Sequence, residues 1–451
     1  MWFKVNDTIV AISTALGEGA ISIIRVSGDD AIKIINPLFE GKDLEKASSH
    51  TINYGHIVYN GEIIDEVLLS IMKAPKTYTK EDVIEINTHG SIAVVNKIME
   101  ILLLEGCRLA EPGEFTKRAF LNGRIDLTES EGVMDLINSE TELTRKMAIN
   151  ELSGNVSRLI TDTREDIISL ISNIEVNIDY PEYEDIEVVT INKIREKVRE
   201  IKEKLLKTLK LSEDGKILKD GIKTVILGKP NVGKSSLLNA LLEEEKAIVT
   251  DVKGTTRDIV EGSILVGGVK LNLIDTAGVR KSDDIVEKIG IEKSLNLIEE
   301  AELVLLILDA SCPLSEEDKY LLEKTKDKKR IIIMNKIDLN LNNSYMDDVI
   351  KISAKNNEGI EDIKDAIKKL FNVGTFMSKN LTFFTNVRQI SLLKSAIKSL
   401  EDVEQGIKEE REIDMIEIDL KLVWEKLGDI IGANYTEELI DNLFSRFCLG
   451  K

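Results

Sequence analysis

Aromatic residues make up only 4% of the sequence, which leaves little material for the stacked-base platforms that grip single-stranded nucleic acid. Cysteine is scarce too. Cys107, Cys312 and Cys448 have neither disulfide-framework nor metal-type spacing, and they suit a reducing compartment. No window is apolar for the roughly 18 residues that a membrane helix needs, so no membrane association is expected. Met1 to Gly19 carries Asp7 and Glu18 and has no long apolar stretch, so no secretory signal is read there and a cytoplasmic location is expected. Positive charge is in deficit, with a formal net charge of -20. Such a surface repels phosphate backbones, excludes a broad non-specific grip on DNA or RNA, and mainly keeps the chain soluble.

The sequence does hold material for several cores. At 451 residues it has room for two to four domains, and 43% of it is hydrophobic. The first hundred or so residues alternate short apolar runs with turn signals. Ala20 to Val26, Glu62 to Met72 and Asp82 to Ile86 read as strands, Asp30 to Phe39 and Ile92 to Glu105 as helices: an α+β pattern. Leu127 to Ile178 changes to three- and four-residue apolar spacing and is closed by Pro181. Ile191 to Leu211 reads as a charged amphipathic helix, and Arg388 to Phe447 is again helical. Between these helical blocks, Thr224 to Leu227, Leu271 to Ile274, Leu303 to Leu308, Ile331 to Met334 and Val349 to Ile352 are nearly all-apolar, as strands of a parallel sheet covered on both faces must be. The expected architecture is multidomain, α/β and α+β. An N-terminal α+β domain spans 1–118, a helical domain is built from two chain segments, 119–215 and 374–451, and a doubly wound α/β domain is inserted at 216–373.

Gly228-Lys229-Pro230-Asn231-Val232-Gly233-Lys234-Ser235 follows the first of those inner strands and precedes a helix read over Ser236 to Leu242. Backbone N–H groups of such a loop, and the N-terminus of the helix after it, surround phosphate oxygens. Lys234 would reach the β- and γ-phosphates, and the Ser235 hydroxyl would ligate Mg²⁺. The base is read later. Asp338 of Asn335-Lys336-Ile337-Asp338 would accept the N1–H and the exocyclic amine of guanine, a pair that adenine does not offer. Ser353-Ala354-Lys355 fits the loop that donates backbone N–H to the guanine carbonyl. Asp275-Thr276-Ala277-Gly278 fits outer-sphere magnesium coordination by Asp275 and γ-phosphate sensing by Gly278. Thr256, in Gly254-Thr255-Thr256-Arg257-Asp258, would complete the magnesium shell only when the γ-phosphate is present. Four motifs in this order imply a Ras-like GTP-binding domain that hydrolyses GTP. Yet Val279 stands where Ras-like proteins carry the glutamine that orients water. Arg257, Arg280, Glu287 or a bound cation are the candidates to compensate, and both arginines also read as solvated switch-loop charges.

The loop, the Thr250-Asp251-Val252-Lys253-Gly254-Thr255-Thr256-Arg257-Asp258 segment and the hydrophobic Val279 after the DTAG motif together resemble the TrmE/Era/EngA group of GTPases. Asp7 to Ala11, Ile24-Arg25-Val26-Ser27-Gly28, Pro112 to Gly123 and the final Cys448-Leu449-Gly450-Lys451 narrow the resemblance to the tRNA modification GTPase MnmE (TrmE) family. An Era-like chain would carry a KH-type domain with a GXXG loop after the GTPase, and an EngA-like chain two P-loops; neither is seen. A ribosome-assembly switch is therefore the weaker alternative.

That resemblance implies a homodimer formed through an N-terminal folate-binding-like domain, and an FAD- and NADH-using partner of the MnmG/GidA family. With that partner, the wobble uridine of certain tRNAs would be modified at carbon 5, with an aminomethyl or carboxymethylaminomethyl group whose one-carbon unit comes from a tetrahydrofolate derivative (5-formyl or methylene). It implies hydrolysis stimulated by K⁺ held by Asn231, Thr250, Val252 and Thr255, with Glu287 organising the attacking water. The expected catalytic set is thus Lys234, Thr256 and Glu287. Asn231, Val232, Gly233, Lys234, Ser235 and Ser236 would surround the phosphates, with Thr250, Thr255 and Thr256, Asp275, Thr276, Ala277 and Gly278, and the base-reading Asn335, Lys336, Asp338, Ser353, Ala354 and Lys355. The folate residues map onto Arg25, Glu85, Arg124 and Lys451, although Arg25 and Glu85 read from the residues alone are ordinary strand-end charges. Cys448 reads as a nucleophile, a wall of the folate pocket or an idle thiol.

Overall fold

The computed structural model describes residues 7–179, 191–244, 262–274, 297–339, 348–377 and 381–450. They fall into two compact units, one of Met1–Met134, Ser157–Val188 and Arg411–Lys451, the other of Asp135–Val156 and Val189–Glu410.

In the first unit, β1 (Ile9–Ile12), β2 (Gly19–Ser27), β3 (Phe39–Glu40), β4 (Thr51–Tyr59), β5 (Glu62–Met72), β6 (Val83–Gly90) and β7 (Arg108–Leu109) form one sheet in the order β3-β4-β5-β6-β2-β1-β7. Neighbours are antiparallel except β1 and β7, which run parallel. Alternation along the strands sends Ile24 and Val26 of β2, Val67, Leu69 and Ile71 of β5, and Ile84 and Ile86 of β6 to one face. There they meet Val95, Ile98, Met99, Ile101 and Leu102 of the helix Ile92–Leu104, each burial being worth about 1.5–3 kcal/mol. The period-two partners, Arg25 of β2 and Glu85 of β6, lie opposite one another on the other face. Ile21, Ile52, Tyr54 and Leu68 of the same unit are exposed apolar side chains.

Two readings of this unit need correction. The helix expected over Asp30 to Phe39 stops at Ile35, and a single 3₁₀ turn, Asn36–Leu38, follows it. Pro37 has no N–H with which to continue the helical ladder. The strand expected to end at Ile86 runs on to Gly90, because β2 pairs with it along its whole length.

In the second unit, β8 (Ile222–Leu227), β9 (Gly262–Val266), β10 (Val269–Leu273), β11 (Leu303–Asp309), β12 (Arg330–Asn335) and β13 (Val349–Lys351) form a sheet in the order β13-β12-β11-β8-β10-β9. All pairs are parallel except the β9–β10 hairpin. Leu303, Leu305 and Ile307 of β11 pack into a core with Leu237 and Leu241 of the helix Lys234–Glu244 and Ile363 and Ile367 of the helix Ile360–Leu370. Val304, Leu306 and Leu308 pack into another with Leu321 of the helix Glu316–Lys324. A strand apolar from Leu303 to Leu308 is thus buried on both faces, which is the doubly wound arrangement.

The Leu127 to Ile178 stretch forms three helices, Leu127–Ile137, Glu142–Leu152 and Asn155–Asp179. The tail forms Val387–Lys408, Ile413–Ile431 and Glu437–Phe444. The helix expected to stop at Leu211 instead runs Ile191–Asp220. Gly215, which argues against a helix in isolation, packs here against Phe376 and Phe383, and a Cβ on it would lie 3.1 and 3.2 Å from their rings.

Candidate functional sites

The nucleotide motifs sit at the carboxyl ends of parallel strands, where α/β sheets open into a crevice. β8 ends at Leu227, the glycine loop follows, and the helix begins at Lys234, two residues before the expected Ser236. Gly233 has φ +99°, and a Cβ there would lie 2.2 Å from Asn335 Nδ2. Lys234 Nζ donates to the carbonyls of Gly228 at 2.6 Å and Lys229 at 3.0 Å. Burial pushes this ammonium below the usual lysine range, a deficit that anionic oxygens would reverse. Glycine turn, helix N-terminus and a desolvated lysine are a fitting donor set for a polyphosphate.

The base-reading motifs close on the same loop. Asn335, at the end of β12, is 3% exposed. Its Nδ2 donates to the Val232 carbonyl at 2.8 Å, and its Oδ1 accepts the Ala354 N–H at 3.0 Å. One amide therefore ties the phosphate loop to the Ser353-Ala354-Lys355 segment. The Ser353 hydroxyl donates to Asp338 Oδ1 at 2.8 Å, and Lys336 Nζ pairs with Asp309 Oδ2 at 2.7 Å. Asp309 was not anticipated, although it closes the apolar run of β11. Asn231 and Lys355 are exposed on these loops, and Ser235 and Ser236 are exposed in the first turn of the helix Lys234–Glu244.

Thr250, Val252, Thr255, Thr256, Arg257, Asp275, Thr276, Ala277, Gly278, Val279, Arg280, Glu287 and Lys451 lie outside the described residues. Among the described residues no group of three or more His, Cys, Asp or Glu is placed to hold a metal ion, and no helix is long and apolar enough to cross a membrane.

A second cluster lies on the β2–β6 face of the first unit. Arg25 donates from Nε and Nη2 to Glu85 Oε1 at 2.9 and 2.8 Å, and from Nη1 to the Gly450 carbonyl at 3.3 Å. Its guanidinium lies 5.6 Å from the centre of the Phe115 ring and 5.9 Å from that of Tyr78, and Arg124 stands 4.8 Å from the centre of the Tyr78 ring. Arg25, Glu85 and Arg124, three of the expected folate residues, thus converge, and the Gly450 carbonyl joins them. A carboxylate, two guanidiniums and aromatic walls fit a flat heterocycle that carries amide-like donors and anionic groups. Tyr78 and Phe115 were missed. Phe115 lies inside a motif quoted for its resemblance, but nothing in its spacing points at Arg25. Cys448 is exposed, and its carbonyl accepts the Gly113 N–H at 3.2 Å.

Residues 8–124 match the family model described as the GTP-binding protein TrmE N-terminus, and residues 127–448 match the MnmE helical domain. The tRNA modification GTPase MnmE of Streptococcus thermophilus is 54% identical over 99% of both chains. That of Streptococcus pneumoniae strain D39 is 52% identical, again over 99% of each. The chain belongs to the MnmE family of tRNA modification GTPases. The two MnmE-type matches take in both clusters: Arg25, Glu85 and Arg124 fall within the first, and the P-loop with its base-reading partners within the second. Among solved structures, the G domain of the T. maritima FeoB iron transporter is 30% identical over 33% of this chain and 98% of that one. Its TM-score of 0.24 is too low to carry an argument.

Proposed function

We propose that this chain binds and hydrolyses GTP as the motor of a complex that modifies carbon 5 of the wobble uridine of certain tRNAs. The observation that carries the GTP half is the Asn335 bridge, which draws the phosphate loop and the guanine-reading loops into one site. Lys234 leaves its two loop carbonyls for the β- and γ-phosphates, and Asp338 accepts the two guanine donors while Ser353 orients it. Ser235 and Thr256 would hold magnesium, which when bound would offset phosphate charge. Asn231, Thr250, Val252 and Thr255 would hold potassium, which when bound would supply the positive charge that an arginine finger brings elsewhere. With Val279 apolar, the attacking water falls to Glu287, and Asp275 to Gly278 sense the γ-phosphate.

The modification half rests on family membership and on the Arg25–Glu85–Arg124 cluster, with the Gly450 carbonyl at its edge, which we assign to a tetrahydrofolate derivative; the family resemblance adds Lys451 to that ligand set. An FAD-dependent partner of the MnmG type completes the aminomethyl or carboxymethylaminomethyl transfer. The exposed Ile21, Ile52, Tyr54 and Leu68 suit a homodimer formed by the N-terminal domain. The domains are assigned as 1–118, 119–215 with 374–451, and 216–373.

The test is GTP turnover in matched buffers containing K⁺ or Na⁺. Strong stimulation by K⁺ that is lost in Asn231→Ala is expected. Equal, slow turnover in both salts would remove the potassium assignment and favour a ribosome-assembly switch.

A further inference from the structure

The P-loop pattern asks nothing of the residue after its first glycine, which here is Lys229. Yet Lys229 is held at both ends. Its carbonyl accepts Lys234 Nζ at 3.0 Å. Its own Nζ donates to Asp318 Oδ2 at 3.1 Å, with Cys312 Sγ 3.5 Å away.

Asp318 is the third residue of the helix Glu316–Lys324 and is 1% exposed. Its Oδ2 also accepts the Ser315 N–H at 2.9 Å and the Ser315 hydroxyl at 2.7 Å, closing a capping box. Its Oδ1 is buried without a hydrogen-bond partner. A capping box serves equally well at the surface, in water. Full burial of its carboxylate makes sense only where a cation faces it, and Lys229 brings that cation from the loop.

We propose that Asp318 is a positioning residue for the nucleotide: through Lys229 it pins the P-loop to the N-terminus of the helix Glu316–Lys324 and so holds the loop in its phosphate-accepting arch. An arch formed in advance lowers the ordering cost of binding. The pin touches neither the base nor the reacting phosphate, so it acts equally on GTP and GDP and is felt in KM rather than in kcat. The proposal rests on the assignment of this loop to GTP.

The experiment uses the full chain with fluorescent GTP and GDP, and compares Lys229→Met, Asp318→Asn, Lys229→Arg and the Lys229→Met/Asp318→Asn double variant. Each neutralising single change should raise Kd for both nucleotides about tenfold, the loss of one charged hydrogen bond. The double variant, which buries no unpaired charge and so folds even if a single variant does not, should be no weaker than the weaker single. Lys229→Arg should restore binding, and steady-state turnover should place the loss in KM. Additive losses in the double variant, unchanged affinities, or a failure of arginine to restore binding would overturn the pin. A wild-type chain that binds no GTP would instead overturn the loop assignment, so the two failures are distinguishable.

Discussion

Single side chains decide more here than their motifs suggest. Asn335 reads as one letter of a guanine motif, but its amide is shared between the Val232 carbonyl and the Ala354 N–H, each in a loop proposed above to meet the nucleotide. Asn335→Ala leaves two buried groups without partners, at a cost of about 2–3 kcal/mol. The expected result is a Kd for GTP raised at least about tenfold, together with faster hydrogen exchange at the Ala354 amide. An Ala354 amide that stays protected would show that the bridge does not hold the loops. Cys107 poses a different single-residue question. Burial raises its thiol from 9.0 to about 12, so above pH 9 the unfolded chain releases a proton that the folded chain keeps. The stabilisation this represents is complete below about pH 9 and drains away as pH rises toward about 12, at about 1.4 kcal/mol per unit. Chemical denaturation should therefore show the stability gap between wild type and Cys107→Ala narrowing by about 1 kcal/mol from pH 9 to pH 10, where the unfolded thiol goes from half to almost fully ionised. A gap independent of pH would mean that the thiol titrates in the folded state.

At the scale of elements, what was legible in the sequence divides by the range of the interaction involved. β5 has the bounds its sequence predicts, Glu62–Met72, because its apolar period and flanking turns are local. The parallel strands of the second unit lie within a residue or two of their sequence expectation for the same reason: burial on both faces leaves a mostly apolar run. Reading failed where a distant partner decides. The helix through Gly215 persists because two phenylalanines distant in sequence take up the space a side chain would fill. Likewise, no local pattern joins Arg25 to the Tyr78 and Phe115 rings. The Phe447–Gly450 segment is the sharpest case. Gly113, at φ +70°, lets Phe444 and Phe447 close over it, and a Cβ there would lie 2.6 Å from the Phe444 carbonyl oxygen. Phe444 and Phe447 pack with Phe120, Leu127 and Ile440, while Gly450 reaches Ser13 and Arg25 through its carbonyl. Gly113→Ala should thus displace the tail and weaken binding of a tetrahydrofolate derivative about tenfold or more, with GTP turnover little changed. Calorimetric titration reads it out, and unchanged folate affinity would detach the tail from that site.

For the whole molecule, charge poses the sharpest constraint. The chain carries 80 acidic and 60 basic side chains, yet its family acts on tRNA. At physiological ionic strength repulsion is screened beyond about 8 Å, so the excess acid does not forbid approach. It does withhold the counterion release that drives tight binding, because each released cation requires a lysine or arginine placed at a phosphate. Two arginines of the cluster proposed for folate are already engaged: Arg25 with Glu85 and the Gly450 carbonyl, and Arg124 over Tyr78. The main grip on tRNA should therefore come from the partner protein, with this chain supplying the one-carbon donor and the GTP-driven motion. Fluorescence anisotropy with labelled tRNA across a KCl series measures this. The chain alone should bind no tighter than about 10 µM near 150 mM salt, with a shallow salt dependence reflecting few phosphate contacts. Adding the FAD-dependent partner should tighten binding sharply and steepen that dependence. Tight binding by this chain alone that also resists salt would mean that the acidic surface hides a built tRNA site, and would return the main recognition step to this protein.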